Sequence, residues 1–361
     1  MNEGLGDVLT LLGRHEEARD AFGRAQVLAG NADPISRSRL HRKNGFSHSL
    51  QRHFAETARE FNLADQQLSE PGAGGADWWE EKVQIQLERM HLFYWQGMVQ
   101  EMRELAERYR SVIAERGAAV QRAEFLKMIA LSMLMESRFR PSQECVELAT
   151  RAVAASDEAN NPAQAGHVNF VLGLIELCHG DFGDAVEQSG KALVMAEQTG
   201  DLLLQSRCLT YRAVAFRRLG DVARCAAEAK RTLELATKLG MVEYVAMAKA
   251  SLAWVAWRQE DYPEAEKLAT EALELWHGMD DPYGFDWMAL WPLIAIALHR
   301  QDSSAAIGFA RGLLAENQHP LPETLLNAVQ KACDQWQNGG QENATADLVS
   351  AMGVARELSY L

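Results

Sequence analysis

The stretch Gly180-Asp181-Phe182-Gly183-Asp184-Ala185 is the first of four copies of one short pattern that decides the fold. The pattern returns as GDVARC at residues 220–225, as EDYPEA at residues 260–265 and as QDSSAA at residues 301–306. The last positions of the copies, 185, 225, 265 and 306, are separated by steps of 40, 40 and 41 residues. A fixed period of this size is typical of helical solenoids, in which one small unit is stacked many times. The sequence therefore predicts a solenoid.

Each copy of the pattern lies between two segments with helical periodicity. Leu209, Ala213 and Phe216 recur at helical spacing before the second copy, and Cys225 and Ala229 do so from its end onward. Apolar residues at positions i, i+3, i+4 and i+7 are typical of an amphipathic helix. Each unit is therefore predicted to be a pair of helices joined by a short turn.

The turn residues and the small residues of the repeat support this interpretation. Glycine suits the end of one helix and aspartate suits the start of the next, as in Gly220-Asp221. Small residues also recur at fixed offsets from the last position of each copy, which we call the anchor. They are Gly173, Ala213 and Ala253 before the anchors, and Ser189, Ala192, Ala229, Thr232, Ala269 and Ala272 after them. Such residues let two helices cross closely.

The pattern resembles the tetratricopeptide repeat. Leu172-Gly173, Ala185 and Ala192 stand where that family's consensus has Leu-Gly, Ala and Ala. The standard unit has 34 residues, whereas the unit here has about 40. This longer variety is similar to the repeats of the maltose regulator MalT and other LuxR-type ATP-dependent regulators. It also resembles the C-terminal arrays of bacterial adenylate/guanylate cyclases that carry an AAA-type ATPase.

The predicted fold class is all-α, a right-handed superhelical solenoid of antiparallel helix pairs with about nine repeats. We expect a single TPR-like solenoid over residues 1–361, with a less regular part at 1–160 that includes a flexible loop at 69–76. The most regular repeats occupy 164–322, and a closing helix pair occupies 323–361. The remaining anchors are predicted at Ala18, Thr57, Met102, Cys145 and Ala344.

The chain opens within a repeat. Residues 3–9 already resemble a first helix, and residues 13–18 a turn with its anchor. Solenoids normally need a polar cap at each end. The expectation is that Met1 marks a truncation of a multidomain protein or that a partner domain covers this end.

Composition and charge limit the classes of function. The formal net charge of −14 disfavours a general nucleic-acid binder, whose binding surface is usually basic. No stretch is long and apolar enough to predict a membrane span, and the N-terminus does not resemble a signal peptide. The five cysteines are scattered without a CxxC pair, which indicates reduced thiols in a cytoplasmic protein.

The sequence lacks the common catalytic motifs. It contains no phosphate-binding loop, no dinucleotide fingerprint and no zinc motif, so neither enzyme activity nor a cofactor or metal is predicted. His41, His48 and His53 lie close together in the sequence, but surface histidines are the favoured interpretation. The glycines within 72–75 lack the Lys-Ser/Thr of a phosphate loop and indicate a linker.

Candidate binding residues follow from the resemblance, because the first helix of each pair lines the concave face in tetratricopeptide arrays. The predicted set is Arg39, Arg42, Phe46, His91, Tyr94, Trp95, Lys127, Phe170, Arg207, Tyr211, Arg217, Trp254, Trp257 and Trp291, with Glu124, His167, Met288 and His299 at the same offset. Aromatic rings stack on sugars and hold peptide side chains, while arginine pairs with carboxylate or phosphate. The alternative is that some of these rings pack between repeats, since Trp and Tyr on long helices are often core residues.

The predicted function is a non-catalytic ligand-sensing or protein-interaction module that binds on the concave face. By resemblance it would be the regulatory portion of a signalling ATPase, transcriptional regulator or cyclase-type protein. Its partner would be a protein, a peptide or a small ligand such as an oligosaccharide, and homo-oligomerisation is left open. The alternative is a stand-alone scaffold or adaptor for a protein partner.

Overall fold

A computed structural model describes residues 1–30, 33–68, 75–279 and 283–361, in which all regular structure is helical. The helices are α1 (Asn2–Leu11), α2 (His15–Ala29), α3 (Pro34–Ser49), α4 (Phe54–Gln67), α5 (Ala76–Trp95), α6 (Val99–Arg116), α7 (Ala119–Glu136), α8 (Gln143–Ala159), α9 (Pro162–His179), α10 (Phe182–Thr199), α11 (Leu202–Arg218), α12 (Val222–Leu239), α13 (Val242–Arg258), α14 (Tyr262–His277), α15 (Trp287–His299), α16 (Ser303–Gly312), α17 (Glu323–Gln337) and α18 (Gln341–Glu357). These eighteen described helices form an all-α repeat solenoid of helix pairs, which confirms the predicted fold class.

The helix pairs repeat with the predicted period. The second helices α10, α12, α14 and α16 begin at residues 182, 222, 262 and 303. All predicted anchors are buried at the crossing of two helices, with at most 1% of their surface exposed. These anchors are Ala18, Thr57, Met102, Cys145, Ala185, Cys225, Ala265, Ala306 and Ala344. The sequence period therefore corresponds to one helix pair.

Aspartate caps three of the four second helices that begin at a copy of the turn pattern. The side chains of Asp221, Asp261 and Asp302 each accept a hydrogen bond from a backbone N–H three residues later, at 3.0, 3.3 and 2.9 Å. These bonds satisfy N–H groups that would lack a partner at a helix start. Asp181 differs, because its carboxylate lies 2.7 Å from Nδ1 of His179 instead.

The small residues permit the close crossings that were predicted. A Cβ atom on Gly173 would lie 2.6 Å from Oγ of Ser189 and 3.0 Å from the backbone N of the same residue. Any larger side chain at position 173 would therefore push α9 away from α10.

The helices form two compact units. Unit 1 comprises residues 1–136 and 147–164. Each helix from α1 to α7 packs on the next, and the first helices α1, α3, α5 and α7 also stack on one another. Residues 69–74 of the predicted loop lie outside the described residues, and α5 begins at Ala76. The expectation of a single solenoid over residues 1–361 stays a prediction.

Unit 2 comprises residues 137–146 and 165–361. Its first helices α11, α13 and α15 stack in sequence order, and α17 pairs with α18. The segment 313–322 between α16 and α17 has no regular helix, and we call it the strap. The strap lies against the start of α15, because the backbone N–H of His319 donates to the carbonyl of Gly284 at 3.1 Å.

Candidate functional site

Unit 2 contains a cavity of about 360 Å³. Its walls come from the C-terminal end of α9, the middle of α11, the start of α15, the strap, the turn at 139–141 and the segment that follows α18. The lining residues are Phe139, Arg140, Pro141, Leu174, Leu177, Cys178, His179, Gly180, Tyr211, Val214, Arg218, Phe285, Trp287, His319, Pro320, Pro322 and Tyr360. A volume of this size matches the lower end of small-ligand sites.

Aromatic rings form a continuous part of the cavity wall. The ring of Phe285 lies 6.2 Å from that of Tyr211 and 4.4 Å from that of His319, measured between centroids. His319 in turn stacks on Phe139 at 4.1 Å. Trp287 meets Tyr360 edge to face at 5.0 Å. Such a wall offers both faces and edges of rings to an apolar or aromatic group.

Arg218 of α11 lines the cavity and supplies positive charge there, and the neighbouring Arg217 is buried. Arg218 donates to the carbonyl of Leu358 at 3.1 Å, and its guanidinium lies 4.0 Å from the ring centroid of Tyr360. Arg217 is only 2% exposed and donates to the carbonyls of Met288, Ala250 and Tyr360 at 2.8, 3.3 and 3.2 Å.

Neither arginine has a carboxylate partner within the described parts of the chain. Burial lowers the pKa of Arg217 to about 9, and the charge of Arg218 acts in the same direction, so Arg217 remains a cation at neutral pH. A buried cation held only by carbonyl groups is poorly compensated. The site is therefore prepared for an anionic group.

His319 and Cys178, which also line the cavity, are neutral near pH 7. Burial lowers the pKa of His319 to about 4, and the nearby Arg138 contributes to this shift. Burial raises the pKa of the Cys178 thiol to about 12. The thiol is thus not a nucleophile at physiological pH, since only the thiolate is reactive. The lining therefore suits binding through shape, rings and positive charge.

The strap and the turn at 137–142 hold the cavity closed on one side. Arg138 donates to the carbonyl of Glu316 at 2.9 Å, and Arg140 donates to the carbonyls of Pro320 and Leu321. Arg138 and Phe139 both adopt the left-handed backbone conformation, with φ of 51° and 61°. Two such residues in succession are unfavourable for side chains with a Cβ, and they often mark functional segments.

The structure places the predicted binding residues of unit 2 in different environments. Tyr211 lines the cavity, and Phe170 lies beside it at 5.7 Å between ring centroids. Arg207 is half-buried on α11. Arg217 is buried and contacts backbone carbonyls, as described above.

The expectation of groove exposure is wrong for two of the tryptophans and for Met288. Trp254 is 1% exposed and packs with Phe216 and Cys225, while Trp291 and Met288 are fully buried. A first helix within an array touches both neighbouring first helices as well as its own partner, so rings at this offset pack between helices. Trp257 is half-buried and packs against two core clusters.

In unit 1, the predicted basic positions are paired with carboxylates of the same chain. Arg39 pairs with Glu3 at 2.8 Å, and Arg42 pairs with Glu81 at 2.6 Å and Glu88 at 2.5 Å. Lys127 is buried and pairs with Glu124 at 2.7 Å, and His91 contacts the same carboxylate. The expectation that these cations are available to an anionic ligand is therefore not met, because acidic residues on the same or a neighbouring first helix pair with them.

The aromatic positions of unit 1 are more accessible. Phe46 is 42% exposed and Trp95 is 48% exposed, with Tyr94 half-buried beside Trp95. A second cavity, of about 600 Å³, lies between α3, α5 and α7, and its lining includes the Arg42–Glu81 pair. Both arginines in its lining, Arg39 and Arg42, are already paired with carboxylates.

Several lining residues of the unit 2 cavity escaped the sequence analysis. Phe285 and His319 lie in connections between helices, and Tyr360 follows the last helix. The repeat period assigns no position to such residues. Arg218 neighbours a predicted residue, but arginine on a helix is usually solvated, so its sequence context carried no signal.

Comparison with known proteins supports the repeat fold. A tetratricopeptide repeat profile matches residues 245–277, which cover α13 and α14. No curated protein sequence matches the chain significantly.

Several solved structures share the fold at low sequence identity. A STAND-type signal transduction ATPase with a tetratricopeptide repeat sensor from Pyrococcus horikoshii is 14% identical, with a TM-score of 0.60 over 92% of this chain. The chain covers 49% of that protein's length. RapI in its apo form is 11% identical, with a TM-score of 0.61 over 99% of this chain and 98% of its own. NprR in complex with its cognate peptide NprX is 10% identical, with a TM-score of 0.62 over 86% and 87% of the two chains.

Membrane spans and metal sites are both absent from the described residues. None of the helices found there has the length and apolar character needed to cross a bilayer. The same residues contain no group of three His, Cys, Asp or Glu side chains arranged to hold a metal ion.

Proposed function

We propose that the chain is a non-catalytic regulatory module that binds a peptide, and that the cavity of unit 2 is the binding site. The observation that carries this proposal is the pairing of an aromatic wall with the cations Arg217 and Arg218, whose hydrogen-bond acceptors among the described residues are carbonyls. Aromatic rings fix an apolar side chain, and guanidinium groups fix a carboxylate through charge-assisted hydrogen bonds.

The comparisons support a peptide rather than another ligand class. NprR, a protein of the same fold, has been captured with its cognate peptide. The resemblance extends only to the fold at this level of identity, so the ligand assignment rests on the chemistry of the cavity. An oligosaccharide would use the rings but would leave the arginine charges unpaired.

A ligand can regulate the protein only if it binds one conformational state of the protein more tightly than another. The cavity offers such a mechanism, because its walls come from the strap, the turn at 139–141 and three helices of unit 2. A ligand that contacts all of them would favour one arrangement of these segments. In a larger protein, such as an ATPase with a repeat sensor, this change would be passed to a catalytic domain. The free cysteines favour a reducing, cytoplasmic setting for this role.

The proposal is tested by thermal melting of the full chain with a panel of short synthetic peptides and with maltooligosaccharides. Peptides that combine an aromatic residue with a carboxylate should raise the melting temperature by mass action, and sugars should not. The Arg218→Gln variant should lose this response. The matched control is Arg224→Gln, because Arg224 is an exposed arginine on the adjacent helix α12.

A sugar-specific shift, or a peptide shift that survives Arg218→Gln, would contradict the assignment of site and ligand. Trp287 lies in the cavity wall and provides a second readout through its fluorescence. Its emission should change with the peptide but not with the sugar.

A protein scaffold is the second candidate function, and exposed apolar residues favour it. In unit 1, Leu12 directly after α1 is 64% exposed, and Val27 and Leu28 on α2 are 82% and 77% exposed. Exposed apolar groups of this kind are typical of protein-interaction surfaces. Retention of a protein partner that is lost on Val27→Glu but unaffected by Arg218→Gln would favour the scaffold.

A further inference from the structure

The segment 358–361, which follows α18, occupies part of the proposed peptide site. Helix α18 itself packs on α16 and α17, whereas the segment after it reaches α11. The backbone turns at Ser359, whose φ is +61°, and so directs the next residues onto unit 2's first helices. The segment therefore contacts the array in the way a bound peptide would, and not as part of a helix pair.

Its contacts are those expected for a peptide ligand. The carbonyls of Leu358 and Tyr360 accept hydrogen bonds from Arg218 and Arg217 at 3.1 and 3.2 Å. The ring of Tyr360 lies between Arg218, at 4.0 Å, and Trp287, at 5.0 Å. Backbone bonds supply affinity and side-chain pockets supply specificity in peptide recognition.

Leu361 fills a second, apolar position. It packs against the core cluster that contains Phe216, Trp254 and Val255. The site thus accepts an aromatic residue followed by an aliphatic one. This order of side chains defines what a competing peptide would need.

The polar contacts of the segment leave the site incompletely satisfied. Arg217 is buried, its three acceptors are all carbonyls, and its Nε atom has no hydrogen-bond partner. A carboxylate adds an opposite charge and can accept two parallel hydrogen bonds from one guanidinium, whereas a backbone carbonyl offers a single neutral oxygen. A peptide that presents a carboxylate to Arg217 and Arg218 would therefore have an advantage over residues 358–361.

We propose that the ligand of the unit 2 site is a peptide with an aromatic-aliphatic pair and a carboxylate, and that residues 358–361 hold this site as an internal competitor. This inference rests on the proposed function of the cavity. Binding requires release of the segment, so the apparent dissociation constant equals the intrinsic one divided by the fraction of chains in which the segment is undocked. The segment thus sets a threshold for the peptide.

The test uses the full chain and a labelled synthetic peptide, MGVARELSYL, which copies residues 352–361 and ends in a free carboxylate. Tyr360→Ala removes the ring between Arg218 and Trp287 and should release the segment. This variant should bind the peptide at least about tenfold more tightly than the wild type, as expected when a mostly docked competitor is removed. Arg218→Gln in the same background should abolish binding.

Two further variants complete the design. Ser359→Gly relieves the left-handed backbone, favours the docked turn and should weaken peptide binding without affecting the core. Val349→Ala is the matched control, because Val349 is a 55% exposed residue on α18. It should bind like the wild type. The amidated form of the peptide should bind more weakly than the carboxylate form.

The outcomes separate the two proposals. If the wild type and Tyr360→Ala bind the peptide equally, and Arg218→Gln abolishes binding in both, the site takes peptides but the segment is not a competitor. If no variant with an intact helical circular dichroism spectrum binds the peptide, this inference is overturned. The peptide panel on the wild type then decides the proposed function by itself. Should Tyr360→Ala lose its helical signal, Ser359→Gly against the wild type supplies the comparison.

Discussion

Replacing Trp254 by alanine should destabilise unit 2 about twice as much as replacing Trp257. Trp254 is 1% exposed, packs with Phe216, Cys225 and Val255, and its ring lies 5.8 and 5.2 Å from the guanidinium groups of Arg217 and Arg258. Trp257, three residues later, is half-buried. The two tryptophans therefore offer a matched comparison on one helix.

The magnitude follows from the buried area. A fully buried tryptophan removes about 200 Å² from water, and at about 25 cal/mol per Å² this corresponds to roughly 5 kcal/mol. Measured losses for Trp→Ala in protein cores are about 3–5 kcal/mol, so we expect about 4 kcal/mol for Trp254→Ala. Half that burial gives about 2 kcal/mol for Trp257→Ala.

The assay is urea unfolding followed by circular dichroism, with the free energy of unfolding and its urea dependence fitted for each variant. Equal losses for the two variants, or a loss below about 1 kcal/mol for Trp254→Ala, would refute the assignment of Trp254 to the core. The same result would revive the expectation that both rings lie in an open groove.

Three further predictions concern the backbone, a buried carboxyl group and the strap. Glu260 has a φ of +62°, whereas glycine occupies the equivalent position of the preceding repeat, Gly220, with a φ of +73°. The left-handed backbone is unfavourable for glutamate, so Glu260→Gly should raise the free energy of unfolding by about 1 kcal/mol in urea titrations. A loss of stability would contradict this assignment of strain. Burial raises the pKa of Glu176 to about 8, and the charges of Asp184, Asp181 and Glu187 act in the same direction. The protonated form is therefore favoured in the folded state, and the stability that it confers at low pH is lost as the pH rises through about 8. Melting temperatures at about pH 6 and pH 9.5 should fall less between the two for Glu176→Gln than for the wild type, and parallel declines would show that this carboxyl is not the cause. A Cβ at Gly284 would lie 2.7 Å from Cδ2 of His319, so Gly284→Ala should displace the strap and quicken amide exchange in 313–322, and unchanged exchange there would count against the close packing.

The sequence predicted the repeat well because the repeat is a local property. The anchor positions and the aspartate caps depend on residues within one helix pair, and each pair meets the same geometric demand. Ala185 and Cys225 therefore occupy equivalent buried places, and Asp221 caps its helix as expected. Asp181 departs from the pattern only because His179 lies within reach of its side chain.

The binding site could not be predicted in the same way, because it depends on contacts between distant parts of the chain. Arg217 and Arg218 meet carbonyls in the segment 358–361 across more than a hundred residues, and Arg138 meets the strap over a similar distance. A repeat offset also cannot separate a ring in the cavity wall, such as Tyr211, from one between helices, such as Trp254. The pairing of Arg42 with Glu81 and Glu88 likewise required the stacking of α3 on α5.

The central claim is that the cavity of unit 2 binds a peptide, and hydrogen exchange of the full chain tests it most directly. Amide exchange is followed by mass spectrometry, with and without the peptide from the synthetic panel that raises the melting temperature most. The account predicts slower exchange in residues 211–218 and in the strap at 313–322, together with faster exchange in residues 358–361 as the segment is released. Protection confined to α1 and α2, or no change in unit 2 with any peptide of the panel, would contradict it.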